Sequence, residues 1–87
     1  MPGFEFFGPE ERKHVNDVLE TGILMRYGFD GPRKGIWKAK ELEEAICETF
    51  GCKHAQPVSS GTAALTTAMS ALGTGYGDEI ILPSFTF

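Results

Sequence analysis

The spacing of apolar and polar positions predicts three helices along the 87-residue chain. The first runs from Pro9 to Glu20 and opens with a Gly-Pro pair followed by two glutamates. The second runs from about Ala39 to Phe50, and each of the two is followed by a glycine that can cap it. The third shows its apolar face at Ala64, Leu65, Ala68, Met69 and Leu72.

Two short runs without helical spacing predict strands on either side of the third helix. Residues 54–59 form the first, although Pro57 removes one ladder hydrogen bond. The second, EIILPSF, is an almost continuous apolar run, typical of a parallel strand covered on both faces. We therefore expect an α/β fold, with a helical segment and basic loop over residues 1–52 and the first βαβ unit of a larger domain over residues 53–87.

The predicted sheet is incomplete, because a single parallel pair is not independently stable and its edges need further strands. No turn or third strand follows the second apolar run. We expect these residues to be the N-terminal part of a longer protein. The alternative is a small domain that is completed by oligomerisation.

Composition and charge narrow the class of protein. With 41% hydrophobic and 23% charged residues and a net charge of −4, the chain resembles neither a disordered tail nor a basic nucleic-acid-binding domain. No apolar run approaches the roughly 20 residues that span a bilayer. Acidic residues precede the first basic one, Arg12, unlike the basic start of a secretory signal. We expect a cytoplasmic protein without nucleic-acid or membrane partners.

Two cysteines near a histidine raise the question of a metal site. Cys47, Cys52 and His54 lie close in sequence, but their spacing matches no paired C-x-x-C motif. Reduced, partly buried thiols are the simpler interpretation. We expect no metal.

The segment VSSGTAAL joins the first predicted strand to the third helix. The first amides of a helix lack intrahelical partners and carry partial positive charge, so this joint suits a phosphate. Gly61 leaves room for it, and the hydroxyls of Ser60 and Thr62 can donate. The alternative is that Ser59 or Ser60 only caps the helix. The segment contains neither a P-loop nor the G-x-S-x-G motif of hydrolases.

The stretch VSSGTAALTTAMSALGTGYGDEIILPSFTF resembles the start of the cofactor domain in sugar aminotransferases of the DegT/DnrJ/EryC1/StrS family. These are fold type I enzymes that use pyridoxal 5'-phosphate, and the resemblance extends over essentially the whole chain. It implies that Ser60, Gly61, Thr62 and Ala63 hold the cofactor phosphate, chiefly through the amides of Thr62 and Ala63. It also implies that Phe87 stacks on the pyridine ring, the alternative being a core residue at a strand end.

The same resemblance implies a reaction and its partners. Family members move an amino group from glutamate or glutamine to a keto sugar in sugar biosynthesis, lipopolysaccharide included, and resemble one another in forming homodimers with shared active sites. The lysine and carboxylate that act on the cofactor lie downstream, and the last lysine here is Lys53. We therefore assign no catalytic residue and expect this chain to be inactive alone. The alternatives are a sugar dehydratase, with histidine in place of that lysine, and a noncatalytic anion-binding α/β module.

The sugar itself is less constrained. The stretches MPGFEFFGPEE and RYGFDGPRKGIWK resemble transaminases that aminate position 8 of a keto-deoxy-octulosonate sugar, whose carboxylate would suit a basic loop. A nucleotide-linked keto sugar and a keto-inositol are alternatives. Residues 26–40 hold five of the eight basic residues, which either contact an acidic sugar or belong to a solvated loop: Arg26, Arg33, Lys34, Lys38 and Lys40.

Overall fold

The structure, a computed structural model, describes residues 3–86. A short 3-10 helix at Phe4–Phe6 is followed by α1 (Pro9–Thr21), α2 (Asp30–Arg33), α3 (Lys38–Phe50) and α4 (Gly61–Ala71). Helices α1, α3 and α4 confirm the three predicted from the apolar spacing. The single turn of α2 was not among those predictions.

Local capping explains why the longer helices begin and end where they do. At the start of α1 the amide of Gly8 donates to Oε2 of Glu11 at 2.7 Å, and proline occupies the first turn. At its end Gly22 takes a left-handed conformation with φ of 67° and donates to the carbonyl of Leu19. These signals lie within a few residues of one another, so they can be read directly from the sequence.

The predicted βαβ unit is wrong for the described residues. Between residues 3 and 86 no strand is present, and the two apolar runs beside α4 form no backbone ladder. In the second run Ile81 is 98% exposed and Phe85 is 97% exposed, although its composition suggested a strand buried on both faces. A strand exists only with a partner to pair with, and a two-stranded parallel pair gains too little to order itself. The described fold is helical rather than α/β.

The backbone divides into two compact units between Pro57 and Val58. The first unit contains α1, α2 and α3, and the second contains α4. The division between residues 52 and 53 that the sequence suggests stays a prediction, because compactness of the backbone does not test whether either part is an independent domain.

The type of side chain that is buried among the described residues is unusual. No hydrophobic side chain is buried among residues 3–86, and the one buried residue is Arg33, which is 4% exposed. A buried arginine is rare unless its charge is paired or hydrogen-bonded. The first unit is therefore organised around a polar residue.

Candidate functional site

The joint between the first apolar run and α4 is shaped by the cap of the helix. Ser60 has extended backbone angles, with φ of −160° and ψ of 160°, and its Oγ accepts a hydrogen bond from the amide of Ala63 at 3.1 Å. The amide of Ala64 donates to the carbonyl of Ser60 at 3.0 Å and closes the first helical turn. Ser60 is thus the residue that caps α4, as one of the two alternatives for this segment predicted.

The cap leaves two backbone donors open. Within residues 3–86 the amides of Gly61 and Thr62 have no acceptor, as expected for the first positions of a helix. Both residues are exposed. A Cβ added at Gly61 would meet nothing within 4 Å, and its φ is not in the left-handed region, so neither packing nor conformation requires a glycine there. Unpaired amides at the start of a helix are donors that an anion can use.

The structure places only some of the predicted site residues where an anion could contact them. Ser60, Gly61 and Thr62 lie together at the amino end of α4, whereas the amide of Ala63, expected to be a principal donor, is occupied by the serine hydroxyl. Phe87 lies outside the described residues. The assignment of all five to a cofactor stays a prediction.

The charge of an anion at this joint would be met without a basic side chain from this part of the sequence. Neither lysine nor arginine occurs after Lys53. The partial positive charge at the start of α4 is about half an elementary charge and falls off within one turn.

The basic residues at positions 26–40 belong to the first unit, and Arg33 is the buried one among them. Its Nε donates to the carbonyl of Gly28 at 2.7 Å, and its Nη2 donates to the carbonyl of Met25. The guanidinium lies 4.6 Å from the ring centre of Trp37, within cation–π range. Sequence reasoning grouped this arginine with its charged neighbours and missed its structural role. A lone tryptophan four residues away was the only local signal.

Three of the other four basic residues at positions 26–40 form ion pairs with carboxylates. The pairs are Arg26 Nη2 with Glu43 Oε1 at 2.7 Å, Lys38 with Glu41 at 3.1 Å and with Asp17 at 3.6 Å, and Lys40 with Glu44 at 3.8 Å. Lys34 has no carboxylate within ion-pair distance in the part of the chain that the structure describes. Most of these basic side chains are thus paired with carboxylates within the first unit.

The two cysteines are free thiols. Over residues 3–86 no three side chains of histidine, cysteine, aspartate or glutamate come together as a metal site would require. Burial raises the pKa of the Cys47 thiol, and the neighbouring thiol of Cys52 raises it further. The thiol of Cys47 is therefore held in its neutral form at physiological pH.

The unpaired amides of Gly61 and Thr62 at the start of α4 are the kind of backbone donor that binds phosphate or similar anions in proteins. The sequence model of the DegT/DnrJ/EryC1/StrS aminotransferase family matches residues 7–87, and the chain belongs to this family. The chain is 42% identical over 77 residues to GDP-perosamine synthase from Vibrio cholerae. The aligned region covers 88% of this chain and 19% of that protein. The chain thus spans about a fifth of the length of this relative. No helix in residues 3–86 is both long and apolar enough to cross a membrane.

Proposed function

We propose that this chain contributes to a pyridoxal-phosphate-dependent aminotransferase that moves an amino group from glutamate or glutamine to a keto sugar. Membership of the aminotransferase family over residues 7–87 is the observation that carries the proposal. The open amides of Gly61 and Thr62, in the sequence that resembles the family's phosphate cradle, support it from the structure.

The residues at the start of α4 fit a phosphate group. The amides of Gly61 and Thr62 would each donate to one of its oxygens, and the Thr62 hydroxyl would add a third donor. Ser60 can serve both as cap and as ligand, because its oxygen accepts from Ala63 while its own proton stays free to donate. When bound, the cofactor supplies the electron sink that amino-group transfer requires. This chain's part is to hold the cofactor by its phosphate.

The remaining parts of the proposal rest on the family resemblance. Phe87 would stack on the pyridine ring and cover one face of it against water. A cytoplasmic homodimer, and a division between residues 1–52 and 53–87, belong to the same proposal. The catalytic lysine is not assigned to this chain, because Lys53 precedes the cradle and no lysine follows it.

Among the sugars, we propose a nucleotide-linked keto sugar ahead of a keto-deoxy-octulosonate. The relative that aligns with 88% of this chain is named for a GDP-linked sugar. The octulosonate alternative drew support from the basic loop, whose charges are largely paired within the first unit. The product in either case would enter sugar biosynthesis, with lipopolysaccharide as one destination.

The cradle is tested by blocking it in the full-length protein. Thr62→Phe places a large side chain beside the open amides, and we expect dissociation of pyridoxal phosphate to become at least about tenfold more favourable, a loss of about 1.4 kcal/mol. Thr67→Phe is the matched control, since Thr67 is an exposed threonine on the same helix beyond its first turn. Fluorescence titration with the cofactor gives both affinities. Equal affinities in the two variants would contradict the cradle.

Activity is tested separately. The full-length protein is supplied with glutamate and a panel of keto sugars, and the aminated sugar is sought by mass spectrometry. Cofactor binding with dehydrated rather than aminated product would indicate the dehydratase. Binding of inorganic phosphate without any spectral response to glutamate would indicate a noncatalytic anion-binding module.

A further inference from the structure

The carboxyl end of α3 brings the two cysteines together. The helix ends at Phe50, Gly51 follows in the left-handed conformation with φ of 64°, and the amide of Cys52 donates to the carbonyl of Cys47 at 3.2 Å. A backbone bond between residues five apart across a left-handed glycine is one of the two bonds of the Schellman motif, which is frequently accompanied by a contact between the side chains at its ends. Here both of those side chains are thiols.

The backbone bond places the pair within reach of a covalent link. With an N···O distance of 3.2 Å, standard backbone lengths limit the separation of the two Cα atoms to about 7 Å. Disulfides occupy Cα separations up to about that value. The backbone bond therefore keeps the two cysteines within the upper limit of separation for a disulfide.

The two thiols differ in their access to solvent. Cys52 is exposed, whereas Cys47 is half-buried. The pKa of Cys47 is raised by burial first, then by the thiol of Cys52 and by the charges of Glu43 and Glu44. An oxidant in solution therefore meets Cys52 first, and Cys47 is placed to react with the product.

We propose that Cys47 and Cys52 are a redox pair that closes into a reversible intramolecular disulfide at the end of α3. Neither residue belongs to the cradle, so the proposal is independent of the aminotransferase function.

The chemistry balances with a peroxide as oxidant. The Cys52 thiolate attacks one oxygen of hydrogen peroxide, the O–O bond breaks, and a sulfenic acid and one water result after protonation. The sulfur of Cys47 then attacks the sulfenic sulfur, its proton leaves with the hydroxyl as a second water, and the S–S bond forms. Two thiols have lost two electrons and one peroxide has gained them. A small dithiol such as dithiothreitol reverses the reaction by exchange.

The test uses full-length protein and a peptide defined by the sequence. The protein is treated with hydrogen peroxide, alkylated and digested with trypsin, which cuts after Lys40 and Lys53 and releases residues 41–53 with both cysteines. We expect this peptide to escape alkylation, to weigh two hydrogens less than the reduced form, and to recover two alkylation sites after dithiothreitol. Two alkylated cysteines after oxidation, a sulfinic acid, or a bridge to a different cysteine would overturn the proposal.

A pair of glycine variants separates folded geometry from closeness in sequence. Gly51→Ala strains the left-handed position that closes the motif, while Gly75→Ala changes a glycine that has no positive φ and open space around it. Against a glutathione buffer, we expect Gly51→Ala to weaken disulfide formation about tenfold, equivalent to about 30 mV for two electrons. Gly75→Ala should match the wild type, and all three should agree in urea. A difference that persists in urea, or no difference in the folded protein, would refute the geometric argument.

Discussion

Replacing Arg33 with alanine should open the loop between α1 and α3. The side chain is 4% exposed, donates to the carbonyls of Gly28 and Met25, and stacks on Trp37. The loop is also held by the Arg26–Glu43 pair and by a hydrogen bond from Trp37 Nε1 to the carbonyl of Arg26, but these contacts are exposed, and no hydrophobic side chain is buried among residues 3–86. The variant removes hydrogen bonds and stacking together.

The size of the effect follows from those contacts. Hydrogen bonds to a charged group contribute about 1.5–3 kcal/mol each, and a desolvated cation–π contact contributes about 2 kcal/mol. The full sum overstates the loss, because the two carbonyls regain water when the guanidinium is removed and because contacts in one cluster are not additive. We expect a net loss of about 2–4 kcal/mol in the free energy of opening this loop, roughly 30- to 1,000-fold in its equilibrium constant.

Hydrogen exchange measures this opening directly. Three backbone bonds report on it: Arg33 to Phe29 at 3.0 Å, Lys34 to Gly31 at 3.2 Å, and Ile36 to Arg33 at 2.9 Å. The protection factors of these three amides should fall by roughly 30- to 1,000-fold. If the free energy of opening in the wild type is smaller than the predicted loss, the protection should disappear entirely. Exchange followed by mass spectrometry of the full-length protein resolves this segment from the rest.

Lys34→Ala is the matched control for the charge. Lys34 is the next residue, is exposed, and forms no ion pair with any carboxylate of residues 3–86. We expect its removal to change protection less than about threefold, in line with surface substitutions. If Arg33→Ala were as mild as Lys34→Ala, the reasoning that places the arginine at the centre of this unit would be wrong. Arg33→Lys should recover only part of the protection, because lysine lacks the planar fork.

Three further predictions concern the helix caps and one strained position. Ser60→Ala should destabilise α4 by about 1 kcal/mol through loss of the hydrogen bond to the Ala63 amide. Hydrogen exchange of the α4 amides measures this loss, with Ser59→Ala as the control. Equal effects of the two substitutions would contradict the assignment of Ser60 as the cap. Glu11 accepts a backbone hydrogen bond that lowers its pKa, so its contribution to α1 is complete above the ordinary glutamate pKa of about 4.3 and is lost as the pH falls through the lowered value. Helicity followed by circular dichroism should show this loss, Glu11→Gln should remove that pH dependence, and an unchanged profile would refute it. Lys34 has a φ of 53°, in the left-handed region that glycine adopts without strain. Lys34→Gly should therefore stabilise the loop by about 0.5–1 kcal/mol, measured by thermal denaturation. Destabilisation would show that the backbone at this position is not strained.

The helices were predictable because their signals are local. The Gly-Pro start of α1, the glycines after α1 and α3, and the serine before α4 act within a few residues of themselves. The prediction of two strands was wrong for the opposite reason. A strand depends on a pairing partner, and no local pattern in the sequence specifies that partner. An apolar run such as residues 79–85 shows what could be buried but not what buries it.

The loop between α1 and α3 shows a second limit of sequence reasoning. Helix α2 has four residues and is flanked by Phe29 and Lys34, both with positive φ, which propensity does not favour for either residue. Arg33 lies next to Lys34 in a glycine-rich stretch, a setting that suggests a solvated surface. Its burial depends on carbonyls at positions 25 and 28 that every residue type would supply equally. The position of a backbone acceptor cannot be predicted from residue type, because every residue carries the same carbonyl.

The candidate site shows why a cap and a ligand site are difficult to separate by sequence. Both functions require a small hydroxyl residue followed by open amides, and here Ser60 caps the helix while Gly61 and Thr62 remain free. The serine hydroxyl has lone pairs for the cap and a proton for an anion, so one function does not exclude the other. What distinguishes them is Gly61, which neither backbone angles nor packing within the described residues requires. Under the proposed function, the missing side chain at Gly61 would let the cofactor phosphate approach the backbone closely.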